Sequence, residues 1–146
     1  MTSAPPEPIP AADLERVRSG AQGLIGYHVD LDTEDGSARI TLEIAEQHRN
    51  RNGTLHGGIV TMMLDAAAGF SASRGAEGAG LVPVATVSLT TNYVAPAVSG
   101  VVTATGRLSG GGRSILYAGA ELRDETGALL ASASGVFKAL RRKAGA

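Results

Sequence analysis

The chain has 146 residues, of which 43% are hydrophobic, and a formal net charge of −1 from 13 basic and 14 acidic residues. This length favours a single domain with a real core, and the balanced charge argues against a nucleic-acid binder. The absence of cysteine excludes disulfides, thiolate metal sites and a cysteine nucleophile. Because no signal peptide and no run of about 18 apolar residues is present, we expect a cytoplasmic protein without a membrane span.

The N-terminal 20 residues are predicted to be a tail followed by a short helix. Four prolines within residues 1–10 favour a segment that is mobile or loosely docked. Asp13 is a candidate cap for a helix that runs to about Ser19 and ends at Gly20. We place the folded domain at residues 21–140 and a basic C-terminal tail at residues 141–146.

Two strands are predicted before the first long loop. Residues 23–33 are interpreted as a strand, and the sequence Glu-Asp-Gly at 34–36 predicts a turn. Apolar and polar residues then alternate over 38–44, which is typical of a half-buried strand. Residues 45–56 are polar and irregular, and we expect a loop there.

The second half of the chain is predicted to form strands joined by short turns. Residues 83–95 alternate, with Val87, Leu89, Thr91 and Tyr93 on one face and Thr86, Ser88, Thr90 and Asn92 on the other. Further strands are expected at residues 100–109, 114–123 and 128–138, and short turns make neighbouring strands antiparallel. The expected fold is α+β: one long helix with a five- to six-stranded antiparallel sheet.

The long helix is predicted over residues 57–73, because this run is rich in Met, Leu and Ala and too long for one ordinary strand. Asp65 lies in its middle, where an ionised carboxylate without partners costs several kcal/mol. No Lys or Arg occurs within residues 57–73 to pair with it. Asp65 is therefore either a well hydrogen-bonded structural residue or a catalytic group, and we favour catalysis.

The sequence His56-Gly57-Gly58 stands where the loop becomes the helix. The first N–H groups of a helix have no internal partner and suit an anion or a polarised carbonyl oxygen. The alternative is a tight turn whose glycines serve geometry alone. His56 is a capping or orienting group, a base, or a satisfied loop histidine. His28 and His48 have no companions at metal-ligand spacing, so we expect no metal site.

Three other polar residues have both a functional and a structural interpretation. Asn50 is a hydrogen-bond partner for a ligand carbonyl, or forms an Asx-turn. Thr86 holds a water molecule, or is an ordinary strand threonine. Arg113, in the turn after Gly111-Gly112, is a phosphate partner or a solvated hairpin residue.

The spacing of Gly57 and Asp65 bears on oligomeric state. The two residues are eight positions apart, which is about 12 Å along a helix. A carbonyl-polarising donor and a general base that act on one carbon must both lie within about 4 Å of it. One chain does not easily bring both together, whereas a two-fold dimer with antiparallel helices does.

Residues 20–138 resemble the hotdog-fold acyl-CoA thioesterases of the phenylacetate-pathway type and of the human thioesterase-superfamily-member-2 type. The resemblance is carried by NRNGTLHGG with IVTMMLDAAAGF, the strand ending TTNYVAP, the GGGRS turn and RDETGALLASASGVF. It implies a helix wrapped by an antiparallel sheet. It also implies homodimers with two composite active sites, often paired into homotetramers.

The resemblance also implies roles for individual residues. Asp65 is the general base or nucleophile, and the Gly57 N–H polarises the thioester carbonyl. Asn50 lies against the reacting group, His56 supports the loop, and Thr86 stands where human-type members carry a serine that helps hold the water. Contacts with substrate or CoA are expected from the residues around these positions and in the glycine turn, namely Gly58, Ser88, Gly111, Gly112, Arg113 and Ser114.

The resulting hypothesis is an enzyme that hydrolyses an acyl-CoA to free acid and CoA without a separate cofactor, since CoA is part of the substrate. Relatives of the hydroxybenzoyl-CoA and menaquinone-pathway types carry glutamate on the helix, from which Asp65 differs, and the His-Phe-Pro loop of hotdog dehydratases is missing. The alternative is a module that binds acyl-CoA without hydrolysis. The acyl group stays open between aryl and medium-chain types, with expected pocket walls at Met62, Met63, Phe70 and Leu81.

Overall fold

One antiparallel sheet and one long helix dominate the computed structural model, which describes residues 4–16, 18–78 and 80–141. The helices are α1 (Gly20–Ile25) and α2 (Gly57–Gly75), and short 3₁₀ turns lie at Ala11–Arg16 and Glu46–His48. The strands are β1 (His28–Asp30), β2 (Ala38–Glu43), β3 (Val84–Tyr93), β4 (Val101–Gly111), β5 (Ile115–Arg123) and β6 (Leu129–Ala139).

All six strands form one sheet in the order β1-β2-β4-β5-β6-β3, and every neighbouring pair is antiparallel. Strand β3 therefore lies at one edge although it precedes β4 in the chain. The sheet wraps around α2, which packs against β2 through β6. The predicted α+β layout, the hotdog arrangement of one long helix against an antiparallel sheet, is confirmed.

Helix α2 packs unusually close to β4, and Gly106 is the residue that allows it. A Cβ atom added at Gly106 would lie 2.0 Å from the carbonyl oxygen of Ala67 and 2.7 Å from Oγ of Ser71. Small residues on the helix face and a glycine on the strand thus let the two backbones approach. Between the helix and the sheet lie fully buried large side chains, namely Phe137, Ile40, Leu42, Met63, Leu64, Leu122 and Val102.

The predicted strand over residues 23–33 is wrong in its first part. Gly20–Ile25 is a helix, because Oγ of Ser19 accepts a hydrogen bond from the Gln22 N–H and caps its start. Gly26 ends it in the left-handed conformation with φ of 88°. The strand is limited to His28–Asp30.

The helix predicted from Asp13 to Ser19 is also corrected. A 3₁₀ turn covers Ala11–Arg16, residue 17 lies outside the described residues, and Gly20 begins a helix instead of ending one. The residues before this turn contact the domain: the backbones of Ile9 and Leu81 form an antiparallel bridge, and Leu14 is buried in the core. At the other end, residues 142–146 of the predicted basic tail lie outside the described residues.

A β-bulge in β3 overturns the predicted division of its faces. Thr86 pairs with Phe137 and Ser88 pairs with Val136, so Val87 is an extra residue without a partner on β6. An extra residue reverses the alternation on one side of the bulge. As a result, Thr86 lies on the helix face together with Leu89 and Tyr93, whereas the sequence pattern had placed it on the opposite face.

None of the helices within residues 4–16, 18–78 and 80–141 combines the length and the hydropathy that crossing a bilayer requires.

Candidate active site

Asp65 lies on the third turn of α2, half-buried, and faces β3 across a short gap. Its Oδ1 atom accepts a hydrogen bond of 2.7 Å from Oγ1 of Thr86. Within the described part of the chain, no Lys or Arg forms an ion pair with it. A carboxylate has about four lone-pair sites, so this single hydrogen bond leaves most of them available to a water molecule or a substrate.

A cavity of about 500 Å³ opens beside Asp65 and Thr86. Most of its wall is apolar. Three of the four expected wall residues, Met62, Phe70 and Leu81, do line it. The fourth, Met63, does not, because it turns toward the sheet and is completely buried in the core. The sequence pattern did not separate these two methionines, since adjacent helix positions are about 100° apart and both are apolar.

Tyr27 is a cavity residue that sequence reasoning missed. It follows α1 directly, is buried, and lines the cavity next to Asp65. Burial raises the pKa of its phenol above the ordinary value of 10.0, a hydrogen bond with Ser19 lowers it, and the nearby Asp65 carboxylate raises it again. Tyr27 is therefore a neutral hydroxyl at physiological pH.

The start of α2 is capped by His56. Its Nδ1 atom accepts a hydrogen bond of 2.8 Å from the Gly58 N–H, so the imidazole acts as an acceptor at this position. Of the alternatives for His56, the structure thus shows a capping group. The bond also occupies the Gly58 N–H, and Gly58 lines neither the Asp65 cavity nor the one at the helix start.

The Gly57 N–H is the free donor at the helix start, because no described group accepts a hydrogen bond from it. Gly57 lines a second cavity of about 310 Å³, together with Asn50. An unpaired N–H at the positive end of a helix can polarise a carbonyl oxygen placed in this cavity.

The side-chain oxygen of Asn50 accepts hydrogen bonds from the loop that follows it. Oδ1 accepts hydrogen bonds from the backbone of Asn52 and Thr54 and from the Thr54 hydroxyl, which is the Asx-turn alternative. Among the described residues no acceptor meets its Nδ2, and the residue lines the Gly57 cavity. The loop function of Oδ1 therefore leaves the amide donor available to a ligand.

Tyr93 and Thr61 support the helix start, and neither was identified from the sequence. The Tyr93 hydroxyl donates to the Gly57 carbonyl at 3.0 Å and lies 2.5 Å from Oγ1 of Thr61. Because a phenol has one proton, Thr61 is the donor in the second contact. The Tyr93 ring also lies beside Gly57, where an added Cβ atom would be 3.4 Å from the ring, an ordinary van der Waals distance.

Asp65 and Gly57 do not meet within one chain. They lie on the same helix but line different cavities, one with Thr86 and the other with Asn50. The sequence-based estimate of about 12 Å along the helix describes this separation.

The remaining predicted contacts lie away from both cavities. Ser88 is exposed on β3 next to the bulge. In the β4–β5 turn, Gly111 has φ of 137° and the Gly112 N–H donates to the Ile115 carbonyl. Arg113 lines a separate cavity of about 240 Å³ with Arg141, whose guanidinium donates to the Arg113 carbonyl. Ser114 belongs to the same turn, and its carbonyl accepts from Ala139.

Comparison with known proteins gives consistent matches. Residues 52–131 match the thioesterase superfamily. A 1,4-dihydroxy-2-naphthoyl-CoA hydrolase of Listeria monocytogenes is 31% identical over 111 residues, which cover 76% of this chain and 88% of that protein. A Bacillus halodurans protein solved with CoA has a TM-score of 0.79 at 24% identity and covers 90% of this chain and 86% of its own. The PaaI protein of Escherichia coli, from the phenylacetic acid degradation operon, has a TM-score of 0.74 at 17% identity and covers 84% and 86%.

Proposed function

Because this chain belongs to the thioesterase superfamily and is a thioester hydrolase, we propose that it hydrolyses an acyl-CoA to a free acid and CoA. The observation that carries the proposal is the Thr86–Asp65 hydrogen bond at the mouth of an apolar cavity. The Listeria relative is named as a hydrolase of a CoA thioester, and the Bacillus protein of the same fold was solved with CoA.

In the proposed mechanism the thioester carbonyl points at the start of α2. The free Gly57 N–H donates to the developing oxyanion, and Asn50 lines the same cavity. A preorganised donor of this kind is worth a few kcal/mol of transition-state stabilisation. Tyr93 holds the Gly57 carbonyl and thereby fixes the direction of the peptide groups at the helix start.

Asp65 supplies the base or the nucleophile. As a base it takes a proton from water, whose oxygen attacks the carbonyl carbon. The carbon–sulfur bond then breaks and the CoA sulfur leaves with a proton. As a nucleophile its oxygen attacks the carbonyl carbon directly, the carbon–sulfur bond breaks and CoA leaves as the thiolate. Water then cleaves the resulting anhydride, which releases the free acid and restores the Asp65 carboxylate. Thr86 orients the carboxylate in both routes.

Both groups act on one carbon only if two chains build each site. Strand β3 is an edge strand whose ten residues, Val84–Tyr93, carry no charge. Pairing two copies along this edge extends the sheet and brings Gly57 of one chain toward Asp65 of the other. We propose a homodimer with two composite sites, and a homotetramer made of two such dimers.

The CoA moiety is proposed to extend toward the β4–β5 turn. Arg113 is exposed there and, within the described residues, has no carboxylate partner. An exposed guanidinium without a carboxylate partner is available to bind a phosphate. The glycines at 111 and 112 keep the turn narrow, so that a pantetheine chain can approach its backbone.

Release of free thiol from an acyl-CoA panel tests the function. The wild-type chain should release CoA from at least one aryl or medium-chain substrate, and Asp65→Asn should lower kcat by at least about a hundredfold. Asp32→Asn, an exposed aspartate on the β1–β2 turn, is the matched control and should retain activity. Tight binding of acyl-CoA without thiol release would replace the proposal with the binding module.

A further inference from the structure

The cavity beside Asp65 is lined both by residues within the stretch that matches the superfamily and by residues of the N-terminal segment. One wall comes from α2, where Met62, Ala66 and Phe70 lie within the stretch that matches the superfamily. Another part of the wall comes from residues before that stretch. Its aliphatic members are Ile9 and Leu14, with Pro6 beside them. The Asp65 part of the wall thus lies within the stretch that matches the superfamily, while the N-terminal segment contributes lining residues from outside it.

The N-terminal segment is held in place by backbone contacts. The Leu81 N–H donates to the Ile9 carbonyl at 2.8 Å, and the Ile9 N–H donates to the Leu81 carbonyl at 3.3 Å. Gly80 makes this approach possible, because its φ is 68° and a Cβ there would lie 2.9 Å from the Ile9 carbonyl oxygen. Prolines at 6, 8 and 10 restrict the chain and lower the entropy lost when it is fixed.

Leu14 anchors the other end of this wall. It is 7% exposed and belongs to the hydrophobic core, and the Asp13 N–H closes a turn onto the Pro10 carbonyl just before it. Ile9 is only half-buried, because one side of it faces the cavity. Ile9 can therefore be changed with little effect on the core, whereas Leu14 cannot.

Charge limits what the cavity accepts. Its ionisable lining groups among the described residues are Asp65, Glu7 and the neutral phenol of Tyr27, with no Lys, Arg or His. A carboxylate at the end of an acyl chain would find no Lys, Arg or His among these lining residues and would share the cavity with the Asp65 carboxylate.

We propose that residues 6–14 form the end wall of the acyl pocket, with Ile9 setting the length of an uncharged acyl group. This inference rests on the proposed function, because it assigns the Asp65 cavity to the acyl chain. It makes Ile9 a specificity-determining residue that takes no part in the chemistry.

The test uses S-alkyl-CoA thioethers from ethyl to dodecyl, whose binding is measured by calorimetry. The wild-type affinity should rise about fourfold per methylene and then stop rising when the chain reaches the end wall. In Ile9→Ala this limit should move to an alkyl group longer by about one or two methylenes. In Ile9→Trp it should move to a shorter one, with the ethyl thioether bound as in wild type.

Leu24→Ala is the matched control, since Leu24 is an aliphatic residue of α1 that is 82% exposed and lines no part of this cavity. Its limit should stay at the wild-type length. A ω-carboxyalkyl thioether should bind at least about tenfold more weakly than the alkyl thioether of equal length. Thermal melting of each variant reports folding, and if Ile9→Trp fails to fold, Ile9→Ala alone decides.

A limit that stays at the same length in Ile9→Ala would overturn the proposal, as would equal binding of carboxyalkyl and alkyl thioethers. Because thioethers cannot be hydrolysed, the binding series is independent of catalysis. Binding with the expected limits, but no hydrolysis of the matching thioesters, would remove the proposed function and keep the end wall. The complete absence of thioether binding would remove both.

Discussion

Oγ1 of Thr86 donates a 2.7 Å hydrogen bond to Oδ1 of Asp65, and this bond joins the edge strand of the sheet to the middle of the central helix. It exists because Val87 is an extra residue in the pairing of β3 with β6. Regular alternation through residue 87 would put Thr86 on the same face as Ser88, away from Asp65. The orientation of the proposed base therefore depends on one irregularity in a strand.

Substitutions of Thr86 distinguish the effect of its hydroxyl group on kcat from the effect of its side-chain shape. Thr86→Ala and Thr86→Val should each lower kcat by about tenfold, less than the loss of Asp65, because Thr86 orients the carboxylate and does not itself take the proton. Thr86→Ser should be mild, since the hydroxyl is kept. Steady-state kinetics on one acyl-CoA measures this series. If Ser were as damaging as Ala, the hydroxyl would not be the feature that matters.

Mixed dimers test whether each site uses two chains. Asp65→Asn and the double variant Asn50→Ala, Gly57→Pro are each expected to be inactive, the latter because proline has no N–H. When the two are unfolded, mixed and refolded together, about half of the dimers should be mixed, and each mixed dimer has one intact site. About a quarter of the wild-type activity should return.

The control for this experiment is each variant refolded alone, which should stay inactive. Formation of mixed dimers is checked independently with two distinguishable affinity tags. Mixed dimers without recovered activity would show that each chain carries a complete site, and the composite arrangement would be withdrawn.

Arg113→Ala tests the proposed phosphate contact. It should raise KM by about twofold to fivefold with little change in kcat, because a remote contact binds the ground state and the transition state alike. The effect should shrink as salt screens the charges. Arg39→Ala, an exposed arginine of β2, is the control. An unchanged KM at low salt would return Arg113 to the solvated-hairpin interpretation.

Asp35 makes the stability of the fold pH-dependent. Hydrogen bonds from Ser37 and then the Arg107 guanidinium hold the pKa of Asp35 well below its ordinary value of 3.8. Because the folded pKa is the lower one, the stabilisation is present above the unfolded pKa and is lost as the pH falls toward the folded pKa. Asp35→Asn should therefore lower Tm at about pH 7 and have a smaller effect at about pH 3.

The exposed neighbour Glu34 provides the control for this pH dependence. Thermal melts of Asp35→Asn and Glu34→Gln over this pH range are compared with wild type. A difference between Asp35→Asn and wild type that stays constant or grows as the pH falls would contradict the assigned hydrogen bonds.

The helices and strands with a clear hydrophobic pattern could be predicted from the sequence. The long apolar run that contains Asp65 formed α2, and the strands after residue 83 appeared close to their expected positions because short turns and alternation fix them. The separation of Asp65 from Gly57 also followed from sequence, since it needs only the rise of a helix.

The features that the sequence did not predict have three separate physical causes. The bulge at Val87 depends on how β3 is paired with β6 and has no sequence marker of its own. For α1 a signal did exist, because Ser19 and Gly26 are typical helix boundaries, but the intervening residues 20–25 are too few for a helical period. Tyr27 and Tyr93 were missed because their contacts arise only in the folded chain.

The sheet order has a consequence for the time at which the site can form. Strand β3, which carries Thr86, takes its sheet position by hydrogen bonding to β6, the last strand of the chain. During synthesis, α2 and β3 leave the ribosome before β6 has been made. The pairing of β3 with β6 joins residues that are far apart in the sequence, and such pairings form slowly. The contact between Thr86 and Asp65 is thus among the last to be completed. A chain cut short before Leu129 has both residues but lacks β6, the strand that holds β3 in the sheet.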